Sequence, residues 1–105
     1  MKIAIAQMRV KANDLEANYQ TMKAMIEEAV IKNADLIVFP EMCVTGYLLS
    51  DRYLQKGFVE LALSYNQRLL ELSQQIGIIY GNLGANFDLN NRDGRFERYN
   101  QAYFP

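Results

Sequence analysis

The chain has 105 residues, enough for one domain or part of one. Half of them are hydrophobic and the net charge is −1, which supplies a packed core and argues against disorder, a nucleic-acid stripe or a polybasic membrane patch. One cysteine and no histidine exclude a disulfide framework, leave a zinc site without its usual ligands, and rule out any Ser-His-Asp or Cys-His arrangement within the chain.

The N-terminus, Met1-Lys2-Ile3-Ala4-Ile5-Ala6-Gln7, has a lysine but no apolar h-region of useful length. No apolar run approaches a membrane span, so a cytoplasmic setting is the default expectation. Residues 2–8 alternate isoleucine with small alanine and predict a strand buried on both faces. Asn13 or Asp14 is a good N-cap, with Glu16 in the first turn. Leu15, Tyr19, Met22, Ile26, Ala29 and Val30 then recur at helical spacing, predicting an amphipathic helix that ends near Lys32-Asn33. Asn33 suits a left-handed residue just past its end. Leu36-Ile37-Val38-Phe39 is an apolar, β-branched run, and Asp35 to Phe39 predicts a second strand. A β-α-β unit makes the two strands parallel with a right-handed crossover.

Residues 48–57 read as a loop with one helical turn around Asp51-Leu54, punctuated by Gly57. Phe58, Ala62, Tyr65, Leu69, Leu72 and Ile76 step by four and three, predicting a second long helix that Gly77 stops. Ile78 to Leu83 predicts a third strand, apolar on both faces at its start as in a central parallel strand. Asn86 to Arg95 is polar and turn-rich, with a hairpin signal at Asp93-Gly94. Arg98 to Phe104 predicts a fourth strand pairing back on the third. The order β-α-β-α-β-β is α/β, and its sheet is expected to keep an uncovered edge and face, as in part of a larger domain. The alternative is a complete small domain that hides the edge by dimerising.

The chemistry concentrates after the second strand. Without histidine, a general base must be a carboxylate, a lysine or a tyrosine. Glu41 follows a buried strand and a proline that fixes the exit of the backbone. Open α/β sheets present catalytic groups at this edge, and desolvation there suits a general base. The plainer reading is a solvated glutamate in an ordinary βα loop. Cys43, two residues on, invites a nucleophile reading. Met42-Cys43-Val44 is apolar, however, and a free cysteine often packs as a small hydrophobe. Tyr47 either walls a pocket with its hydroxyl as a polar handle or packs in the core. Asp51, Arg52, Tyr53 and Lys56 meet a ligand or form a solvated loop face.

Phe39-Pro40-Glu41-Met42-Cys43-Val44-Thr45-Gly46-Tyr47 closely resembles the glutamate motif of the nitrilase (carbon–nitrogen hydrolase) superfamily. Lys2-Ile3-Ala4-Ile5-Ala6-Gln7 resembles that family's opening strand. Asn18, Ala34-Asp35-Leu36-Ile37-Val38, Ile79-Tyr80-Gly81-Asn82 and Tyr99-Asn100-Gln101-Ala102 also match its pattern. The resemblance spans essentially the whole chain and implies the N-terminal part of an α-β-β-α sandwich, with residues 1–105 as a single partial domain. Thr45-Gly46-Tyr47, the acidic loop at Asp51 and the Phe58 helix look most like the glutaminase domain of glutamine-dependent NAD⁺ synthetases. This chain has Gly46-Tyr47-Leu48 where those enzymes commonly have Gly-Tyr-Pro.

The resemblance implies amide C–N hydrolysis: glutamine to glutamate plus ammonia, which feeds ATP-dependent amidation of deamido-NAD⁺ to NAD⁺. Of the family's Glu-Lys-Cys triad, the glutamate carries over to Glu41 as general base. Tyr47 matches a tyrosine that lines the glutamine pocket. The lysine and nucleophilic cysteine belong to motifs after the Tyr-Asn-Ala strand, and Cys43 falls where the family has an apolar residue. The 105 residues alone are therefore expected to be inactive. No cofactor is expected for the amidase step, with ATP and Mg²⁺ serving a separate synthetase domain. The expected partner is a small-molecule amide, glutamine, with no nucleic acid, no membrane and a homo-oligomeric assembly. Two rivals stand beside this reading: another amidase or nitrilase of the superfamily, and a non-catalytic α/β interaction module.

Overall fold

The computed structural model describes residues 1–12, 14–46, 56–90 and 96–103. Its elements run β1 (Ile3–Ile5), α1 (Leu15–Ile31), β2 (Leu36–Val38), α2 (Lys56–Leu72), β3 (Gly77–Asn90) and β4 (Phe96–Tyr103). The sheet order is β1-β2-β3-β4. β1, β2 and the start of β3 are parallel, whereas β4 returns antiparallel on the rest of β3. This is the expected α/β order with its two crossovers.

Register decides which side chains meet the helices. Ala4, Ile37 and Ile78 lie side by side across the three parallel strands. Ile37 and Ile78 are buried and Ala4 packs against the core beneath the helices. The alternate row is Ile3, Leu36 and Gly77, followed by Ile5, Val38 and Ile79. It faces away, and Ile3 and Ile5 are 51% and 75% exposed. β1 is thus shorter than expected and is not buried on both faces. Its outer row is apolar, the character of a sheet face that packs on a second sheet in the α-β-β-α sandwich the resemblance implies.

Helix α1 starts where the sequence indicates. Asp14 accepts a hydrogen bond from the Ala17 amide at 3.2 Å, satisfying one of the free donors of the first turn. Leu15, Asn18, Tyr19, Met22, Ile26 and Ala29 form its buried stripe. It ends on Asn33 at φ 62°. The Asn33 amide donates to Val30 O and the Ala34 amide to Ala29 O, both at 3.0 Å, the paired closure of a left-handed C-terminal cap. Lys2 Nζ donates to the Lys32 carbonyl at 2.6 Å, so the residue just before β1 also holds the helix end.

Several boundaries move. Gly57 lies in α2 rather than in a loop, and α2 stops at Leu72, before Ile76. Ser73 donates to Leu70 O, and Ile76 is buried after the helix rather than on it. Gly77 opens β3 instead of merely ending the helix. β3 runs through Asn90, so residues 86–90 are strand where a polar turn was expected; Asn86 and Asn90 pair with Glu97 and Phe96 of β4 across a register shift. The readings at residues 47–55 and at Asp93-Gly94 lie outside the described residues.

The two helices are clamped to each other. Arg68 reaches Glu16 with both terminal nitrogens, at 2.7 and 3.2 Å. Its guanidinium lies 3.9 Å from the centre of the Tyr19 ring. The Tyr65 hydroxyl donates to the same carboxylate at 2.9 Å. The Arg68 hydrogen bond foremost, then those from Gln20 and Tyr65, hold the Glu16 carboxyl down at about 2, from an ordinary 4.5. A carboxylate that is more acidic when folded stabilises the fold above its unfolded pKa and loses that contribution as pH falls through its folded pKa. Glu16→Gln should therefore flatten the loss of stability between about pH 4.5 and 2. At neutral pH the half-exposed pair is worth no more than about 1 kcal/mol. Urea midpoints across that pH range test this; an acid limb identical to wild type would show that the pair contributes nothing.

Candidate active site

The ladder continues one residue past β2, where the Phe39 amide donates to Ile79 O at 2.8 Å. Pro40 has no amide proton, so pairing stops and the chain turns. Glu41 opens that turn. Met42 takes φ 53° and Gly46 φ 72°. The turn is closed by the Gly46 amide donating to Met42 O at 2.8 Å. Gly46 needs its glycine, since a Cβ there would lie 2.8 Å from Ala12 Cα.

Two other elements hold the turn. From β3, the Gly81 backbone passes directly beneath it. A Cβ on Gly81 would lie 2.6 Å from Met42 N and 3.2 Å from Glu41 Cα. From α1, the Asn18 side chain reaches across and donates to Val44 O at 2.9 Å. The strand under the turn is itself tied to α2. Asn82 donates to Ala62 O at 2.8 Å and to Asn66 Oδ1 at 3.0 Å. The Tyr80 hydroxyl donates to Asn66 Oδ1 at 2.7 Å.

Glu41 is therefore at the carboxyl edge of three parallel strands, as expected. It is exposed, which corrects the expected desolvation: the strand behind it is buried, but the turn carries the carboxylate out past the core. Cys43 is fully buried and its thiol donates to Gly81 O at 3.5 Å. Burial pushes that thiol up to about 11, so at neutral pH it is protonated and shielded. It packs as the small hydrophobe of the apolar Met42-Cys43-Val44 stretch. Tyr47, Asp51, Arg52 and Tyr53 lie outside the described residues, and Lys56 opens α2. Among the described residues no cluster of three potential metal ligands occurs.

Gly81, Asn82 and Asn66 are the supports that periodicity alone does not find. Gly81 leaves a local signal, because a glycine inside a strand marks a close backbone approach. Nothing local says that the approaching backbone is that of Glu41. Asn66 lies on the α2 face between buried positions and leaves no signal.

The Carbon-nitrogen hydrolase family model matches residues 2–104. A glutamine-dependent NAD(+) synthetase from Acinetobacter baylyi is 35% identical over 80 residues, 76% of this chain and 15% of the relative. The solved glutamine-dependent NAD+ synthetase of Acinetobacter baumannii, in complex with ADP, superposes with a TM-score of 0.75 at 28% identity. That match covers 98% of this chain and 18% of the synthetase. An amidase from Nesterenkonia sp. shares the fold at a TM-score of 0.72 and 23% identity, over 80% of this chain and 32% of the amidase. The chain thus spans less than a fifth of the synthetases it matches.

Gly81→Ala places a methyl group against backbone, which cannot swing aside as a side chain can. It should destabilise the protein by about 1–3 kcal/mol, read from a denaturant midpoint; a change below about 0.5 kcal/mol would mean that the turn adapts freely. Cys43 in the native protein should react with iodoacetamide far more slowly than in urea. Equal labelling rates would contradict its burial.

Proposed function

Because the chain belongs to the carbon–nitrogen hydrolase family, we propose that it contributes the general base, Glu41, to a glutaminase domain like that of glutamine-dependent NAD⁺ synthetases. The observation that carries this is the placement of one exposed carboxylate at the carboxyl edge of the parallel strands, on a turn held from α1, from β3 and by its own hydrogen bond.

The chemistry follows from the proton inventory. Thiolate attack on the glutamine amide carbon forms a C–S bond and a tetrahedral oxyanion. The C–N bond breaks when ammonia leaves with an added proton. Water then attacks the thioester, the C–S bond breaks, and glutamate is released. Glu41 takes the thiol proton and delivers it to the leaving nitrogen, then takes a proton from the attacking water and delivers it to the departing thiolate. One carboxylate serves both half-reactions because each pair of transfers returns it to its ionised state. No histidine is needed, and the chain has none.

Cys43 does not fit the nucleophile's place, since it is sealed against Gly81. The thiolate and the lysine that holds the oxyanion come from sequence beyond these 105 residues. Tyr47 lines the glutamine pocket. The released ammonia supports ATP-dependent amidation of deamido-NAD⁺, with ATP and Mg²⁺ confined to the synthetase domain. A cytoplasmic homo-oligomer with glutamine as its small-molecule partner completes the proposal. The second reading, an amidase acting on another small amide, draws on the fold shared with the Nesterenkonia enzyme; glutamine dependence separates the two.

Glu41→Gln in the full-length protein should lower glutamine hydrolysis by roughly 10²–10⁴-fold, the usual contribution of a general base. Ammonia release measures it, and residues 1–105 expressed alone should release none above background. Undiminished turnover by the Gln variant would sink the assignment of Glu41.

A further inference from the structure

Glu41 sits beside a residue that cannot hold its own conformation. Met42 is a long side chain at φ 53°, a region sparsely populated by residues other than glycine, asparagine and aspartate. Such a residue persists only where its surroundings over-determine it. The peptide joining Glu41 to Met42 is the lever that aims the carboxylate, so whatever holds this turn sets the position of the base.

The Asn18 amide is committed to that task. Asn18 is 1% exposed, and both of its N–H donors and its carbonyl oxygen have backbone partners outside its own helix. Oδ1 accepts from the Lys11 amide at 2.8 Å. Nδ2 donates to Lys11 O at 2.8 Å and to Val44 O at 2.9 Å. One side chain thus joins α1, the loop that follows β1, and the turn that follows β2. The two loops are already in contact at Gly46 and Ala12. Asn18 makes them one body and presses the far side of the turn toward α1, while Gly81 supports its near side.

We propose that Asn18 is a positioning residue for Glu41: it fixes the turn at Val44 and so sets where the carboxylate stands at the carboxyl edge of the sheet. The proposal rests on the assignment of Glu41 as the base. Asn18 touches neither substrate nor reacting atoms, and its effect is on the chemical step rather than on substrate binding. A shift of about 1 Å in a catalytic group is enough to cost up to about a hundredfold in rate.

The test is made in the full-length protein with glutamine as substrate. Asn18→Asp is nearly isosteric; it keeps the acceptor for the Lys11 amide but aims a carboxylate oxygen at Val44 O, removing the donor without removing volume. Asn18→Ala removes both and serves as the second variant. In each, a lowering of kcat by roughly ten- to a hundredfold is expected, with KM within about threefold and a cooperative unfolding transition still well above the assay temperature. Glu41→Gln is run alongside. If Glu41→Gln keeps full activity, the base is misassigned and the positioning proposal falls with it. If Glu41→Gln is inactive but both Asn18 variants keep kcat within twofold, Asn18 does not position the base and only this proposal fails. Residual activity that merely tracks the folded fraction, or a loss confined to KM, makes Asn18 a packing residue and overturns the proposal equally.

Discussion

A carboxylate can serve as a catalytic base only if the backbone that carries it is held still, and here that backbone is strained. The turn from Glu41 to Gly46 contains a left-handed methionine and a left-handed glycine. A segment with such an internal cost needs support from outside. Three elements supply it. The Gly81 backbone lies beneath, Asn18 binds from one side, and the Gly46 amide closes the turn on Met42 O. The buried polar groups of the fold are arranged around this requirement. Asn18 and Asn82 are fully buried asparagines, and each spends its side-chain donors on holding neighbouring backbone or on a second asparagine. Burying an amide is favourable only when its hydrogen bonds are complete. These two are retained where backbone must be fixed beside the candidate site.

The same division explains the rest of the architecture. The helices cover one face of the sheet, and their clamp of Glu16, Arg68, Tyr19 and Tyr65 lies at the partly exposed junction between them. Its surface location gives it little weight in overall stability, but it fixes the spacing of α1 relative to α2. That spacing matters because Asn18 projects from α1 and Asn66 from α2, and both reach toward the strands that carry the turn. The uncovered face has the opposite character. Ile3, Ile5, Leu36, Val38 and Ile79 form an apolar row that, among the described residues, lies on the side away from α1 and α2. An α-β-β-α sandwich places its second sheet on such a row, so the apolar outer face and the membership of the carbon–nitrogen hydrolase family agree.

Much of this was legible in the sequence, and the parts that were not share one cause. The periodic stripes of α1 and α2, the cap at Asp14 and the left-handed Asn33 were readable because each depends on neighbours within one or two turns. The parallel pairing of β1, β2 and β3 followed from alternating element order. Glu41 was legible from the apolar strand and proline before it, and from its resemblance to a family motif. The length of β3 was not read from the sequence, because Asn86, Asp88 and Asn90 are turn-prone; the segment pairs with β4 at Asn86 and Asn90, with a register shift between them. An uncovered face was expected from the element order, but Ile3 and Ile5 were not assigned to it, since an apolar strand reads locally as buried on both faces. Gly81 and Asn66 act on residues far away in sequence, and a one-dimensional pattern carries no distance between elements.

Glu41 and Cys43 show how far environment outranks identity in assigning chemistry. They are two residues apart on one turn, and either could be named as a reactive group from its side chain alone. The turn carries Glu41 outward, where it is exposed. It folds Cys43 inward against the Gly81 carbonyl, where desolvation holds the thiol protonated. A nucleophile must be ionised and reachable, and Cys43 is neither. The base proposed at Glu41 must reach its proton within hydrogen-bond distance, and its side chain is not sealed in the core. The geometry that excludes the cysteine is the geometry that presents the glutamate: the left-handed step at Met42 turns the chain over between them. Gly81 accepts the thiol and makes room for the Met42 amide with the same backbone. The strained residue between the two is therefore what separates their roles.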